Sequence, residues 1–317
     1  MAEDNSRTRP AVPRWLRFAL GLVIVVAALY FLVSRLVRDW SQIPWSDIRF
    51  NYPVLVVSFG VLFLLYLPVF GLTWTVLLRS LGERLSAFRA TAIISVSQMG
   101  KYVPGKVWFT LGRAVLARRH GIPESKTVLT AFMEAGFALL AALLLFGVTV
   151  ILLPRGQVPG YAYWAFVLVP VCLVCLYPPL LRRIVNALLR RLKQPLLDIN
   201  LPLPRIVAIV GLYLLMWVVQ GFGCFLLINS FYPLALDRLP IVVGGYALAW
   251  ILGFLSLVTP AGLGVREGIL TFAFRFAMPE PVAILAALLT RVWITLAEVV
   301  AALALLPFVR NRRKETA

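Results

Sequence analysis

Three cations crowd a stretch that interrupts a strongly apolar chain. In SQMGKYVPGKVWFTLGR (residues 97–113), Lys101, Lys106 and Arg113 surround Pro104 and Gly105. Proline and glycine break helices. A helix restarting after the break would present free backbone N–H groups near Lys106. Cationic side chains beside such groups make a site for a phosphate or another anion. The same charges would equally serve as loop cations that fix membrane orientation, and both roles stay open at this point. A second break, TPAGLGVREG (259–268), sets Pro260, Gly262 and Gly264 just before Arg266 and Glu267. These two suit an anion contact with its balancing carboxylate, or an ion pair that locks the turn. Three further ionisable residues, Glu134, Arg291 and Glu298, lie inside apolar runs. Single charges there are costly unless paired. Glu134 and Arg291 are expected to form an ion-pair network, with Glu298 on the Arg291 face of the same helix. Direct substrate contact is the alternative.

The elements that must position these residues are membrane helices. The chain has 317 residues, 61% of them hydrophobic and 14% charged. A soluble domain would have no interior large enough for that apolar content. Clear spans read as Leu16–Val33, Tyr52–Leu78, Thr127–Leu153, Tyr161–Leu180, Pro204–Phe231 and Pro281–Phe308, each at or above the roughly 18 residues a span requires. The continuous runs exclude the alternating pattern of a β-barrel. The net charge of +18 fits cationic loops facing anionic lipid, and no nucleic-acid motif accompanies it. Cys172, Cys175 and Cys224 all lie in apolar runs and read as packing residues. The Arg-rich stretch 182–193 reads as an amphipathic interfacial helix, and Trp15, Trp40, Trp45 and Trp164 as interface anchors. No metal site, cofactor motif or enzymatic motif is present: there is no Walker loop, no zinc spacing and one histidine, His120.

One apolar block, Ile241–Val258, precedes the second break. Counting it as a span would put the two basic tails, 1–15 and 310–317, on opposite sides, against the positive-inside rule. The expectation is therefore six full spans with both termini cytoplasmic, and a re-entrant hairpin over Ile241–Met278. An internal repeat supports a matching first hairpin. A shift of 156 residues pairs Pro104 with Pro260, Gly112 with Gly268, Arg119 with Arg275, Pro123 with Pro279 and Glu124 with Glu280. The copies run about 86–153 and 241–308. In this topology they face opposite ways, which is the pattern of transport folds. The fold class is thus an all-α polytopic membrane protein with about six transmembrane helices and two re-entrant helical hairpins in inverted repeats, occupying 16–309.

The residues KYVPGKVW, GR, ARRHGIP and Glu134, followed by TPAGLGVREG and LLTR, resemble the lysylphosphatidylglycerol synthase transmembrane family, the flippase-like domain of bacterial multiple peptide resistance factors. The resemblance covers about 15–310, and its specific part is the two breaks, Glu134 and the Arg291 region. The second break reads P-A-G where many relatives have P-G-G, and Ala135 stands where many have Arg. The resemblance implies a translocase of the bacterial inner membrane that moves an anionic, aminoacylated or polyprenyl-linked lipid between leaflets. Lys101, Lys106, Arg113, Arg266 and Glu267 would contact the headgroup. The soluble synthase domain of the resistance factors is not expected after Arg310. The alternative is a non-transporting partner of a cell-envelope glycosyltransferase or lipid-modifying enzyme. Membrane lipids are the expected partners, and a homo-oligomer is left open.

Overall fold

A computed structural model describes residues 48–102, 108–153, 202–256 and 262–310, with isolated residues between 30 and 46 and between 170 and 190. The spans expected at 16–33 and 161–180, the basic stretch 182–193, both terminal tails and the break residues Pro104, Gly105, Lys106 and Pro260 lie outside the described residues.

The described chain is helical. Helix α1 (Tyr52–Val61), a π-helical turn (Leu62–Tyr66) and α2 (Leu67–Ser80) run as one rod. Asn51 starts it, its side chain accepting the Val54 N–H at 3.2 Å, with a proline in the first turn. Next come α3 (Ala87–Gln98), a 3₁₀ turn (Met99–Tyr102), α4 (Trp108–Arg118) and α5 (Glu124–Leu152). After the undescribed segment follow α6 (Leu203–Asn229), α7 (Leu239–Leu255), α8 (Val265–Phe274) and α9 (Glu280–Arg310). Among the described residues, five helices are long and apolar enough to cross a bilayer: Tyr52–Ser80, Glu124–Leu152, Leu203–Asn229, Leu236–Leu255 and Glu280–Val309. Large apolar side chains such as Val56, Leu64, Val292 and Leu303 point outward, as they must where the surroundings are lipid.

The 156-residue shift reappears in the helix boundaries. It carries α4 onto 264–274, one residue from α8, and moves the start of α5 onto the start of α9. Pro123 and Pro279 stand immediately before those two starts, and each helix begins with a glutamate, favourable at the positive end of the helix dipole. Packing is reciprocal as well. The first limb of copy one, α3, lies on α9 of copy two, while the first limb of copy two, α7, lies on α5 of copy one. Exchange of partners of this kind is what an approximate twofold relation between two copies produces.

Each copy opens with two helices folded back on one another. Gly112 of α4 faces Ser97 of α3, and Gly100 faces Phe109. In the second pair Gly245 of α7 faces Ala273 of α8, and Gly253 faces Arg266. In both pairs one index rises as the other falls, so the limbs are antiparallel. The limbs of the first pair have 12 and 11 residues, about 16–18 Å at 1.5 Å per residue. Neither can cross a hydrocarbon core of about 30 Å. In the second pair α8 has 10 residues and is likewise too short, whereas α7 with its preceding 3₁₀ turn reaches 20. The second pair is therefore asymmetric, one limb long enough to cross and one not.

Candidate functional site

Two sets of charges are buried among these helices, and each is built by a short limb docking on the long helix that follows it. In copy one, Arg113 of α4 is 0% exposed. It grips Glu134 of α5 through both nitrogens of its fork, Nη1 to Oε2 at 2.7 Å and Nη2 to Oε1 at 3.4 Å. The guanidinium lies 5.3 Å from the Trp74 ring and 6.0 Å from that of Phe70, which favours a planar cation over an ammonium. Trp74 is itself fixed by an Nε1–H bond to Thr130 Oγ1 at 2.9 Å. Copy two makes the same joint with reversed polarity: Glu267 of α8 faces Arg291 of α9 at 3.6 Å.

Glu267 also shapes the second break. Its Oε2 accepts the Gly264 N–H at 2.6 Å, capping the start of α8. Gly262 and Gly264 have φ of +70° and +81°, where a Cβ is strained. These two glycines therefore let the chain turn sharply and bring the N-terminus of α8 into the interior, where a carboxylate can meet it.

A second joint ties the copies to each other. Lys101, in the turn after α3, forms an ion pair with Glu298 of α9. Tyr102 donates its hydroxyl to the other carboxylate oxygen at 2.6 Å and also lies 3.2 Å from Thr295 Oγ1. Thr295 and Glu298 are three apart on α9 and share a face. The Arg291 guanidinium is 5.9 Å from the Tyr102 ring. Tyr102 thus bridges the Lys101–Glu298 pair and the Arg291–Glu267 pair. The hydroxyls of Tyr66, at the end of the π-helical turn, and Tyr246, on α7, lie within electrostatic reach of both Glu298 and Arg266.

Arg266 completes the region and differs from the other cations. Its stem lies in a slot cut by two glycines: a Cβ on Gly253 would sit 2.3 Å from the Arg266 Cγ, and one on Gly262 would sit 3.0 Å from its Cδ. The charge is close enough to act on Lys101 and Tyr66. Among the described residues it has no ion-pair or hydrogen-bond partner. It is partly exposed.

Several expectations are revised by this geometry. Lys101 and Arg113 do not act together: one joins Glu298 and the other is enclosed with Glu134, because α4 turns Arg113 onto α5 and away from the break. Glu134 and Arg291 do not pair with each other, since each has a nearer partner within its own copy. Glu267 is not a salt-bridge partner of its neighbour Arg266, because adjacent helical residues point in different directions; it turns inward to Gly264 and Arg291. Glu298 does join the network with Arg291, through Tyr102. Cys224 is buried and 3.5 Å from Thr290 Oγ1, a packing position. The aromatic participants Tyr66, Tyr102 and Trp74 were not foreseen. The one available hint was Tyr102, a polar aromatic inside the KYVPGK break.

The pattern of the lysylphosphatidylglycerol synthase TM region matches residues 18–306. The chain belongs to that family. No curated protein matches the chain. Family membership and five bilayer-length helices together make this a multi-pass membrane protein, with a membrane domain of a kind related to lipid modification or translocation.

Proposed function

We propose that the protein is a lipid translocase that passes a phosphate-bearing headgroup between leaflets through the junction of its two copies while the acyl chains stay in the bilayer. The observation that carries this reading is Arg266. A cation whose stem is seated by two glycines, with no counter-ion among the described residues, is arranged to receive an anion from outside the protein. A partly buried arginine without a counter-ion loses hydration with nothing to offset it, so the position makes sense if a ligand supplies the charge.

Two features support the route. The short limbs of both breaks bring polar groups into a helical bundle without themselves crossing it, as interrupted helices of transporters do. The two copies pack reciprocally, the first limb of each lying on the other copy's long helix. In this reading the hairpins are re-entrant and oppositely oriented, the tails are cytoplasmic, and the host membrane is the bacterial inner membrane. The protein is not an enzyme. Movement is downhill or driven by an ion gradient.

The test is transfer of an acyl-chain-labelled phosphatidylglycerol across phosphatidylcholine vesicles containing the purified protein. Loss of inner-leaflet fluorescence to an external reductant, faster than in protein-free vesicles, supports the reading. Equal rates overturn it and favour the non-transporting partner role, which predicts co-purification with a lipid-modifying or glycosyl-transferring enzyme.

A further inference from the structure

The charges at the junction define which headgroups fit. Four cations lie in the described interior: Lys101, Arg113, Arg266 and Arg291. Three carboxylates accompany them: Glu134, Glu267 and Glu298. Each of these carboxylates has a cation beside it, although Glu267 Oε1 makes no hydrogen bond. Glu134 is held by the Arg113 fork. Glu267 caps the Gly264 N–H and faces Arg291. Glu298 takes Lys101 on one oxygen and the Tyr102 hydroxyl on the other. With the Arg113 pair self-compensated, the junction holds Lys101, Arg266 and Arg291 against Glu267 and Glu298, one positive charge in excess. This balance is that of the described residues.

From this balance we infer that the translocated lipid carries a net-negative phosphate headgroup without an ammonium group, and that the lysylated lipid after which the family is named is a poor substrate for this chain. The inference rests on the translocase reading above. A phosphodiester meets Arg266 as a charge-assisted hydrogen-bond acceptor. A lysyl headgroup brings two ammonium groups for one phosphate. Each would need a carboxylate to balance it, and the charge of each carboxylate present is already balanced by Lys101, Arg291 or Arg113. Left unpaired beside Arg266, an ammonium meets both a desolvation penalty and like-charge repulsion. The same charges therefore favour the first lipid and oppose the second.

The experiment compares two acyl-chain-labelled probes, phosphatidylglycerol and lysyl-phosphatidylglycerol, in phosphatidylcholine vesicles holding the full chain. Transfer of phosphatidylglycerol is expected to be roughly tenfold faster or more, since like-charge placement opposes the lysylated probe by at least the 1.4 kcal/mol that a factor of ten represents. A smaller preference, or the reverse, overturns the inference while leaving the translocase standing. Transfer of neither probe overturns both. The variant Arg266→Glu turns the excess negative and is expected to abolish or invert the preference; an unchanged order removes Arg266 from the account. If that variant does not fold, Arg266→Gln must still narrow the preference, and an unchanged ratio counts against the inference in the same way.

Discussion

Replacing Glu134 by Ala leaves the Arg113 guanidinium enclosed with no carboxylate. Arg113 is 0% exposed and its two fork nitrogens bond Glu134 at 2.7 and 3.4 Å, so water cannot take over. Arginine also cannot shed its proton. Removing one partner of a buried pair costs about 3–5 kcal/mol. At about 2 °C per kcal/mol for a chain of this size, the melting midpoint falls by about 6–10 °C. Arg113→Met should cost less, because Glu134 keeps some exposure, 13% of its side chain, and a carboxylate can neutralise itself by taking up a proton. Replacing both, Arg113→Met with Glu134→Leu, should recover most of the loss, since apolar groups of similar volume often match a buried ion pair. What remains is the lost contact with Trp74, about 1 kcal/mol. The assay is thermal unfolding in nanodiscs of the parent, two singles and the double. A Glu134→Ala midpoint within about 2 °C of the parent, or a double variant as poor as the two singles added together, refutes the claim that this pair is closed and self-compensated.

Other predictions follow from neighbouring contacts. Gly253→Ala places a methyl where the Arg266 Cγ lies, so it should lower lipid transfer about as much as Arg266→Ala while the protein stays folded; wild-type transfer would show that the slot does not seat the side chain. Tyr102→Phe removes the hydroxyl bonded to Glu298 at 2.6 Å, a charge-assisted bond of about 1.5–3 kcal/mol, and should lower the melting midpoint measurably with Lys101 unchanged. Gly264→Ala forces a Cβ onto φ of +81° and should cost about 1–2 kcal/mol by the same unfolding measurement. Cysteines placed at 103 and 262 should label from opposite sides of the membrane; labelling from one side contradicts the inverted arrangement.

Much of the scaffold could be read from periodicity and punctuation. The Pro-Glu pairs at 123–124 and 279–280 mark helix starts because proline terminates what precedes it and glutamate suits a first turn; those starts are seen at Glu124 and Glu280. The repeat was visible for the same reason, since its shared residues are the ones that fix backbone geometry. The pairing of the buried charges was not legible. Spacing along one helix cannot say which neighbouring helix faces it, so Glu134 was matched to Arg291 when Arg113, on the short limb, lies nearer. Nor could the sequence distinguish Lys101, which reaches across to copy two, from Arg113, which folds into copy one. That difference arises from the 3₁₀ turn at Met99–Tyr102, which sends Lys101 toward α9. The slot for Arg266 was hidden too, because it needs Gly253, thirteen positions earlier on the opposite limb.

The central claim is that Arg266 at the junction of the copies receives the headgroup of a moving lipid. Parallel transfer assays on the parent and Arg266→Gln, reconstituted at equal folded amounts with the labelled phosphatidylglycerol, address it directly. The account predicts transfer by the parent and markedly slower transfer by the variant, with an unaltered melting midpoint. Equal transfer by both proteins would contradict it.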